Sequence, residues 1–392
     1  MQDIVILSAV RTPIGSFQGA LHKLAAPELG ARALVAAFDR ARVSSESIEQ
    51  VYLGCVLTAG VGQAPARQAV LGAGCPVSTG AVTVGKVCGS AMRAVMTAAN
   101  DLRCGDFDLV AAGGMESMSR APFLAPGARE GLRLGHGKLL DSMIHDGLWD
   151  PYDDVHMGSC AETCAARYQF TREEQDAFAR ESYRRAQEAT EKGLSASEIV
   201  AVEVPQRKGD PVLIDKDEEP FRVDLGRMGK LRPAFQKEGT VTAANASKIN
   251  DGAAALVLAT ADRAKELGLK PLARLVAQTS MAQEPEWFTT APVGVAQRVL
   301  DRAGLSAGDI DLWEVNEAFA VVAMAFLKEL ALPPEKVNVR GGAVALGHPI
   351  GASGARILVT LLHSMVERDA QRGCAVICIG GGEATAVILE RD

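Results

Sequence analysis

The chain has 392 residues, 48% of them hydrophobic and 23% charged, and it carries a formal net charge of −7 at pH 7. A chain of this length exceeds one simple core, so two or three globular domains are expected. The negative charge argues against nucleic acid as a partner, and the absence of an uncharged apolar run of about 18 residues argues against a membrane span.

The N-terminal segment, MQDIVILSAVRTP, predicts a first β-strand. Its apolar run is short and no basic segment precedes it, so it does not resemble a secretory signal peptide. Eight cysteines without such a signal predict reduced thiols and a cytoplasmic protein. Neither Cys160 and Cys164 nor Cys374 and Cys378 have Cys-x-x-Cys spacing, so no metal site is predicted.

Three segments of the first half recur in the same order in the second half, which indicates an internal duplication. Each half reads as alternating strands and helices, and this pattern predicts right-handed βαβ units on a largely parallel sheet. The matching pairs are residues 27–49 with 292–311, 90–96 with 353–359, and 108–117 with 375–385.

The part of the first half that has no counterpart in the second is predicted to be an insertion. It is rich in charge, glycine and proline, and it contains one amphipathic helix that Thr171 can cap and Gly193 can end. Insertions of this size over a rigid scaffold usually form a lid or a substrate wall. The expected division is an N-terminal half at 1–262, with its core at 1–118 and 249–262 and the insertion at 119–248, and a C-terminal half at 269–392, with a linker near 261–271.

Cys88, in the segment VGKVCGSAMRAVM, is the first candidate for covalent chemistry. It follows an apolar strand pattern and precedes a helical one, so its sulfur is expected at a helix N-terminus. The helix dipole and the free backbone N–H groups at such a position favour a thiolate and can receive an oxyanion. The alternative is a small buried thiol of the core.

Cys378 is the second candidate, and it lies 290 positions further along, in the strand pattern CAVICI. Period-two alternation places it on one face with Cys374 and Val376. The glycines 380–382 follow directly and suit a bare backbone turn at an active site. If the two halves pack about a pseudo-twofold axis, the strand ends converge and bring Cys378 near Cys88. A core position is the alternative.

His348 lies in the glycine-rich loop GGAVALGHPIGASG ahead of a predicted helix, which favours a functional role. Asn316 ends an apolar strand and equally suits a helix N-cap. Acyl transfer can proceed without a metal or redox cofactor if three groups are present. One thiol holds the acyl group, a second thiol moves a proton, and an imidazole adjusts the reactivity of one of these thiols.

Taken together, these segments resemble the thiolase family from end to end. The resemblance implies the five-layered α-β-α-β-α fold built from two duplicated halves, a coenzyme A thioester as substrate, no separate cofactor, and two-step acyl exchange through an acyl-enzyme. The matching pieces are RTPIG (11–15), GQAPARQ (62–68), KVCGS (86–90), GGMESMS (113–119), HMGSCAE (156–162), LRPAF (231–235), GTVTAANAS (239–247), INDGAAA (249–255), NEAFA (316–320), GGAVALGHPIGASG (341–354) and CIGGG (378–382).

The resemblance also implies catalytic roles. Cys88 would be the acylated nucleophile, and His348 would activate it. Cys378 would take a proton from the acetyl-CoA Cα in the condensation direction and return it in the cleavage direction. One thioester oxygen would be held by His348 and a water on Asn316, and the other by the backbone N–H groups of Cys88 and Gly380.

The family's coenzyme A wall falls on a further set of residues in the insertion and the second half. Arg222 is the candidate for the polyanionic nucleotide end, and Phe288 for the acyl pocket. Residues 120–150 resemble the family's tetramer-forming loop, so a homotetramer built as a dimer of dimers is expected. The wall residues are Leu148, His156, Met157, Phe235, Ala243, Ser247, Ala318 and Phe319.

Within the family, the GLWD and HMG pieces at 147–158 are most similar to members that condense two acetyl-CoA into acetoacetyl-CoA and CoA. A degradative thiolase for broader 3-ketoacyl-CoA chains is the alternative. Several positions depart from the family pattern and put the chain-length preference in question. They are Ala64, Gly85, Ala91, the pair Trp287 and Phe288, and Lys248, which stands where the family usually has a small residue.

Three other classes of protein are alternatives. A decarboxylating ketoacyl synthase has two catalytic histidines, whereas Cys378 stands at one of those positions here. A non-catalytic acyl-CoA carrier predicts loss of Cys88, His348 or Cys378, and all three are present. A redox switch would use the pair Cys160 and Cys164 or the pair Cys374 and Cys378.

Overall fold

The computed structural model describes residues 2–391. Its strands are β1 (Ile4–Arg11), β2 (Gly15–Ser16), β3 (Gln50–Gly54), β4 (Gly80–Val84), β5 (Leu109–Ser117), β6 (Phe123–Leu124), β7 (Leu140–Asp141), β8 (Trp149–Asp150), β9 (Val155–His156), β10 (Val202–Val204), β11 (Val212–Ile214), β12 (Asn250–Thr260), β13 (Ala273–Ala282), β14 (Leu312–Val315), β15 (Arg372–Ile379) and β16 (Glu383–Glu390). Its α-helices are α1 (Ala26–Ala41), α2 (Pro65–Gly72), α3 (Ser90–Cys104), α4 (Met157–Tyr168), α5 (Arg172–Glu191), α6 (Ala261–Glu266), α7 (Ala291–Ala303), α8 (Ala320–Glu329), α9 (Ala343–Leu346) and α10 (Ser353–Glu367).

The main sheet consists of two half-sheets whose strand orders correspond, except that β4 of the first half has no counterpart in the second. The first runs β1-β12-β5-β3-β4 and the second runs β13-β16-β15-β14, so in each half the last strand lies between the first strand and the others. A short antiparallel contact between β1 and β13 joins the halves. The corresponding order of strands is what an internal duplication predicts.

The prediction of a largely parallel sheet is wrong. Among the strands within residues 2–391, only three pairs are parallel, and these are β3 with β4, β3 with β5, and β14 with β15. The last strand of each half, β12 or β16, is antiparallel to both of its neighbours. In the second half the cause is local, because the three-glycine turn joins β15 to β16 as a hairpin and a hairpin makes its strands antiparallel.

Five layers of helices and sheets follow from the alternation of side chains along the strands. In β1, Val5 and Leu7 belong to a buried cluster shared with α1 and α2, whereas Ile4 and Ile6 belong to a second cluster shared with α3 and α10. Helices α7 and α8 cover the far side of the second half-sheet, where Trp313 and Phe326 are buried together. The expected α-β-α-β-α order is therefore confirmed.

The insertion holds three two-stranded sheets and the helices α4 and α5. Helix α5 is capped as predicted: the Thr171 hydroxyl accepts from the Glu174 N–H, the Glu174 carboxylate accepts from the Thr171 N–H, and Gly193 follows at φ +71°. Helix α4 was not predicted, because its small residues give weak apolar periodicity and its cap is the imidazole of His156. Across residues 2–391, no helix is both long enough and apolar enough to span a bilayer.

Candidate active site

Cys88 lies in a tight turn between β4 and α3. The turn is a short 3₁₀ segment, Val87–Gly89, in which Val87 has φ +44°, an unfavourable conformation for a β-branched residue. The Ser90 hydroxyl stabilises it by donating to the Val87 carbonyl and accepting from the Lys86 N–H. A Cβ on Gly89 would come within 2.3 Å of Ile379, so only glycine lets this turn approach β15.

The Cys88 thiol is held in its neutral form. Burial raises its pKa to about 11, although the backbone N–H groups of Gly380 and of Cys88 itself lower it, and the charge of Glu116 raises it further. The preference for a thiolate that the helix position predicts is therefore outweighed by desolvation. The backbone N–H groups of Gly380 and Cys88 are therefore the donors that favour the thiolate form of this sulfur.

His348 follows α9 and is buried in the loop before α10. Its Nδ1 lies 2.6 Å from the Ser353 hydroxyl oxygen, and its backbone N–H donates to Asn250 Oδ1 at 2.9 Å. Its Nε2 has no hydrogen-bond partner among residues 2–391. Burial, assisted by the positive charge of Arg356, lowers the pKa of His348 to about 3, so the ring is neutral at physiological pH.

Cys378 is fully buried at the end of β15, on the same face as Cys374 and Val376, as the alternation predicts. Burial raises its pKa well above the ordinary value, and the charge of Cys88 raises it further, whereas the Ala318 N–H lowers it. The turn that carries Cys88 approaches the end of β15, since a Cβ on Gly89 would lie 2.3 Å from the Ile379 side chain, so the two cysteines lie in neighbouring segments although 290 residues separate them in sequence.

Asn316 follows β14 and is fully buried. Neither polar atom of its side chain has a hydrogen-bond partner within the described chain. The alternative that Asn316 is a helix N-cap is wrong, because α8 begins at Ala320 and its cap is Phe319. A buried amide without a protein partner is costly unless a ligand or water satisfies it.

A cavity of about 410 Å³ opens over Cys88, His348 and Gly380. Nine residues assigned to the coenzyme A wall and acyl pocket line it, whereas the buried Cys378 and Asn316 are not among its lining residues. The nine are Leu148, His156, Met157, Phe235, Ala243, Ser247, Phe288, Ala318 and Phe319. Sequence reasoning missed ten lining residues, most of which adjoin an assigned residue or lie in a quoted motif: Phe17, Val87, Met118, Gly147, Glu219, Ala234, Ala246, Lys248, Ile249 and Ile350.

Arg222 is the exception among the predicted contacts. It does not line the cavity, and its largely exposed guanidinium lies 3.6 Å from the Glu218 carboxylate. Its predicted role at the polyanionic nucleotide end of coenzyme A stays a prediction.

Aromatic rings form one side of the cavity. His156 stacks on Phe235 at 4.7 Å, and Phe319 meets Phe235 and Phe288 edge-on at 5.9 and 6.3 Å. Gly158 is required beneath this stack, since a Cβ there would lie 2.3 Å from the Phe235 ring. The His156 Nδ1 accepts from the Gly158 N–H, and burial lowers the pKa of His156, so this ring is also neutral.

Opposite the rings, Gly380–Gly382 form the hairpin turn between β15 and β16. Gly381 and Gly382 have φ of +88° and +79°, which side-chain-bearing residues rarely adopt. All eight cysteines are free, and the described residues contain no cluster of three His, Cys, Asp or Glu side chains that could hold a metal.

Comparisons with known proteins agree with this architecture. The family model "Thiolase, N-terminal domain" matches residues 4–262, and "Thiolase, C-terminal domain" matches residues 269–391. The chain belongs to the thiolase family. The acetyl-CoA acetyltransferases of Pseudomonas aeruginosa and Cupriavidus necator are each 52% identical to it, over 393 and 392 residues, and cover 100% of both chains. The Acat5 thiolase from Ascaris suum, solved in complex with coenzyme A, is 46% identical with a TM-score of 0.95 and 100% coverage of both chains.

Proposed function

We propose that this thiolase is an acetyl-CoA C-acetyltransferase, which condenses two acetyl-CoA into acetoacetyl-CoA and CoA and runs the reverse cleavage. The observation that carries the proposal is one cavity with a neutral thiol, a neutral imidazole and two backbone N–H groups on the same sulfur, next to a second buried thiol. The names of relatives with 52% identity over the full length support the choice of substrate.

In the first half-reaction the Cys88 sulfur attacks the thioester carbonyl, and its proton passes to the free Nε2 of His348. The N–H groups of Cys88 and Gly380 stabilise the resulting oxyanion, each good donor supplying about 3 kcal/mol. The CoA sulfur leaves and takes the proton of the Cys378 thiol. The enzyme now holds an acetyl group on Cys88, a protonated His348 and a thiolate at Cys378.

In the second half-reaction the Cys378 thiolate removes a proton from the Cα of a second acetyl-CoA. The His348 Nε2–H and a water held by the unpartnered Asn316 amide stabilise the enolate oxygen. The Cα then attacks the acyl carbon, and the departing Cys88 sulfur regains its proton from His348. Both cysteines end as thiols, so all protons balance and no redox step occurs.

We propose that the aromatic side of the cavity holds the pantetheine arm of coenzyme A. Its lining is mainly apolar, which suits the alkyl segments of that arm, and the exposed polar side chains of the insertion lie outside it. Residues 1–262, with core segments 1–118 and 249–262 and the insertion 119–248, and residues 269–392 are proposed as the two structural halves, which the limits of the two family matches support.

We further propose a homotetramer, built as a dimer of dimers, in the cytoplasm. Strand β4 pairs only with β3, so its outer edge offers free backbone groups to a second copy. Residues 120–150 expose apolar side chains that a further contact would cover; these are Phe123, Leu132, Leu134 and Leu139. Light scattering tests the assembly: Leu134→Glu combined with Leu139→Glu should convert tetramers into dimers.

The preferred chain length is tested by thiolysis kinetics. Phe288 lines the cavity and is buried against Phe319, so it is the residue we propose as the limit on acyl chain length. We expect kcat/KM to be highest for acetoacetyl-CoA and to fall for longer 3-ketoacyl-CoA substrates, and Phe288→Ala to reduce that difference by about 10-fold. If the wild-type kcat/KM for long 3-ketoacyl-CoA substrates equals that for acetoacetyl-CoA, the broader degradative enzyme is favoured instead.

A further inference from the structure

The side chain of Lys248 connects two segments of the cavity that are distant in sequence. Its Nζ donates to the Ala246 carbonyl and to the Val344 carbonyl, at 2.9 Å each, and lies 5.1 Å from the centre of the Tyr183 ring. Ala246 belongs to the loop that contributes Ser247 to the cavity wall, and Val344 lies in α9, four residues before His348. The Lys248 ammonium group therefore contacts both the loop at 242–248, the wall loop, and the segment that leads to His348.

The Val344 carbonyl needs Lys248 as a hydrogen-bond donor because helix α9 ends at Leu346. In a longer helix it would accept from the N–H of His348, but that N–H donates to Asn250 Oδ1 instead. Lys248 replaces the missing helical donor. The second oxygen, on Ala246, lies beside the contact in which the Ser247 N–H donates to the Ala318 carbonyl, so the same ammonium also stabilises the wall.

We propose that Lys248 is a positioning residue, whose ammonium ties the wall loop 242–248 to the loop that carries His348 and so fixes the imidazole relative to the bound thioester. This inference rests on the proposed thiolase function for its kinetic consequences. The structural part of the inference, that Lys248 links the wall loop to the loop that carries His348, does not depend on that function.

The surroundings of Lys248 make the tie sensitive to pH. The ionisable groups that act on the ammonium are the carboxylates of Glu219 and Glu317, and the Tyr183 ring lies over it. Burial lowers the pKa of Lys248 to about 8, and both carboxylates oppose that effect. The positive charge is thus present at pH 7 and is lost as the pH rises through 8, which weakens both hydrogen bonds to the carbonyls.

Glu219 gives a second, weaker connection to the same loop. Its Oε1 accepts from Asn250 Nδ2 at 3.3 Å, and Asn250 Oδ1 accepts from the His348 N–H at 2.9 Å. Glu219 and Lys248 both line the cavity, as His348 does. Loss of the ammonium is therefore expected to affect the position of the His348 loop before it affects the overall fold.

Hydrogen–deuterium exchange tests the tie without reference to catalysis. Lys248→Ala, and the size-matched neutral Lys248→Met, should speed exchange in peptides covering 241–250 and 343–352 by about 10-fold, because a lost hydrogen bond lowers the local opening free energy. The matched control is Lys23→Ala, since Lys23 is exposed and also donates to a backbone carbonyl, that of Pro205, away from the cavity. Unchanged exchange at 343–352 in both Lys248 variants would overturn the proposal.

Steady-state kinetics then distinguish a positioning role from a general loss of stability. In both variants kcat/KM for acetoacetyl-CoA should fall by about 10- to 100-fold, because small displacements of a catalytic group are costly. Ethylammonium should restore part of that loss in Lys248→Ala, where the space is open, and not in Lys248→Met. Wild-type kcat/KM should decline above pH 8, and the decline should be absent from Lys248→Met.

The outcomes separate the two proposals. A wild-type enzyme without thiolysis activity would refute the proposed function. The hydrogen–deuterium exchange experiment would still test whether Lys248 links the two loops. An active wild type whose Lys248→Ala variant retains full kcat/KM would refute the positioning role alone. Rescue by ethylammonium in Lys248→Met as strong as in Lys248→Ala would also contradict it, since that result would not come from a refilled ammonium site.

Discussion

The Ser353 hydroxyl determines which nitrogen of His348 carries the proton. Ser353 Oγ lies 2.9 Å from the Pro349 carbonyl and 2.6 Å from His348 Nδ1. A hydroxyl has one hydrogen, and the carbonyl can only accept, so the hydroxyl donates to Pro349 and accepts from Nδ1–H. Nε2 is left with a lone pair, which is the form that can take a proton from Cys88.

Ser353→Ala should lower kcat by about 10-fold while leaving the fold intact, because the ring then exchanges between tautomers and only one of them can act as the base. The measurement is kcat for acetoacetyl-CoA thiolysis. Ser364→Ala is the matched control, since Ser364 is also a buried hydroxyl of α10 but has no recorded partner in the described structure. Equal kcat in the two variants would contradict the assigned role of Ser353.

Cys378→Ala should separate the two half-reactions. The variant retains Cys88 and His348, so it should still accept an acetyl group from acetyl-CoA. It should condense acetyl-CoA at least about 1,000-fold more slowly, because no base remains to remove the Cα proton. Acyl transfer is followed by mass spectrometry and condensation by the release of CoA.

The control for Cys378→Ala is Cys374→Ala, on the same face of β15 and equally buried. That change creates a similar small cavity, so it should lower stability by about 1 kcal/mol but leave condensation unchanged. A Cys378→Ala enzyme that condenses acetyl-CoA at the wild-type rate would remove Cys378 from the mechanism.

His348 should contribute to the pH dependence of stability. Its pKa is lowered from 6.5 to about 3 in the folded chain, so the unfolded chain binds the extra proton more readily between these values. Its contribution is therefore fully present above pH 6.5 and is lost as the pH falls toward 3, with a slope of at most about 1.4 kcal/mol per pH unit.

Urea unfolding of wild type and His348→Gln between pH 7 and pH 4.5 measures this slope, and the variant should be less sensitive to acid. His136→Gln, at an exposed position, serves as the control and should follow the wild type. Identical slopes for wild type and His348→Gln would show that the buried imidazole does not remain neutral in the folded state.

Ala64→Asn should stabilise the protein by about 1 kcal/mol. Ala64 is the N-cap of α2 but has no side-chain acceptor, and its φ of +51° is left-handed. Asparagine tolerates that conformation and can cap the helix, so it supplies both missing features. The free energy of unfolding measures the gain. Ala64→Gly relieves only the backbone strain and should give a smaller gain, whereas a loss of stability in both variants would contradict this account.

Much of the fold was predictable where local sequence controls it. The capping residues of α5 and the shared face of Cys374 and Cys378 follow from periodicity and side-chain chemistry within one element. The direction of β12 did not follow in this way, because it depends on where the strand enters a sheet formed by distant segments, whereas the direction of β16 is set by the local hairpin at Gly380–Gly382. The sequence motifs therefore predicted the positions of helices and strands along the chain better than they predicted which strands pair with each other.

The same limit applies to the site. The position of Cys88 before a helix was evident, but its protonation state was not, since burial by the other half outweighs the helix terminus. Lys248 appeared only as a departure from the family pattern. Its contact with Val344 joins positions 96 residues apart, and no local pattern encodes such a pairing. The position of Arg222 outside the cavity lining was not evident from motif spacing either, because its segment is irregular.

The most direct test of the mechanism is to find the acetyl group. Wild-type enzyme mixed with acetyl-CoA, quenched in acid and digested, should carry one acetyl thioester, on the peptide that contains Cys88. Cys88→Ser should carry none as a thioester, while a folded Cys374→Ala control should be labelled like the wild type. A thioester on any other cysteine, or labelling that persists in Cys88→Ser, would contradict the account.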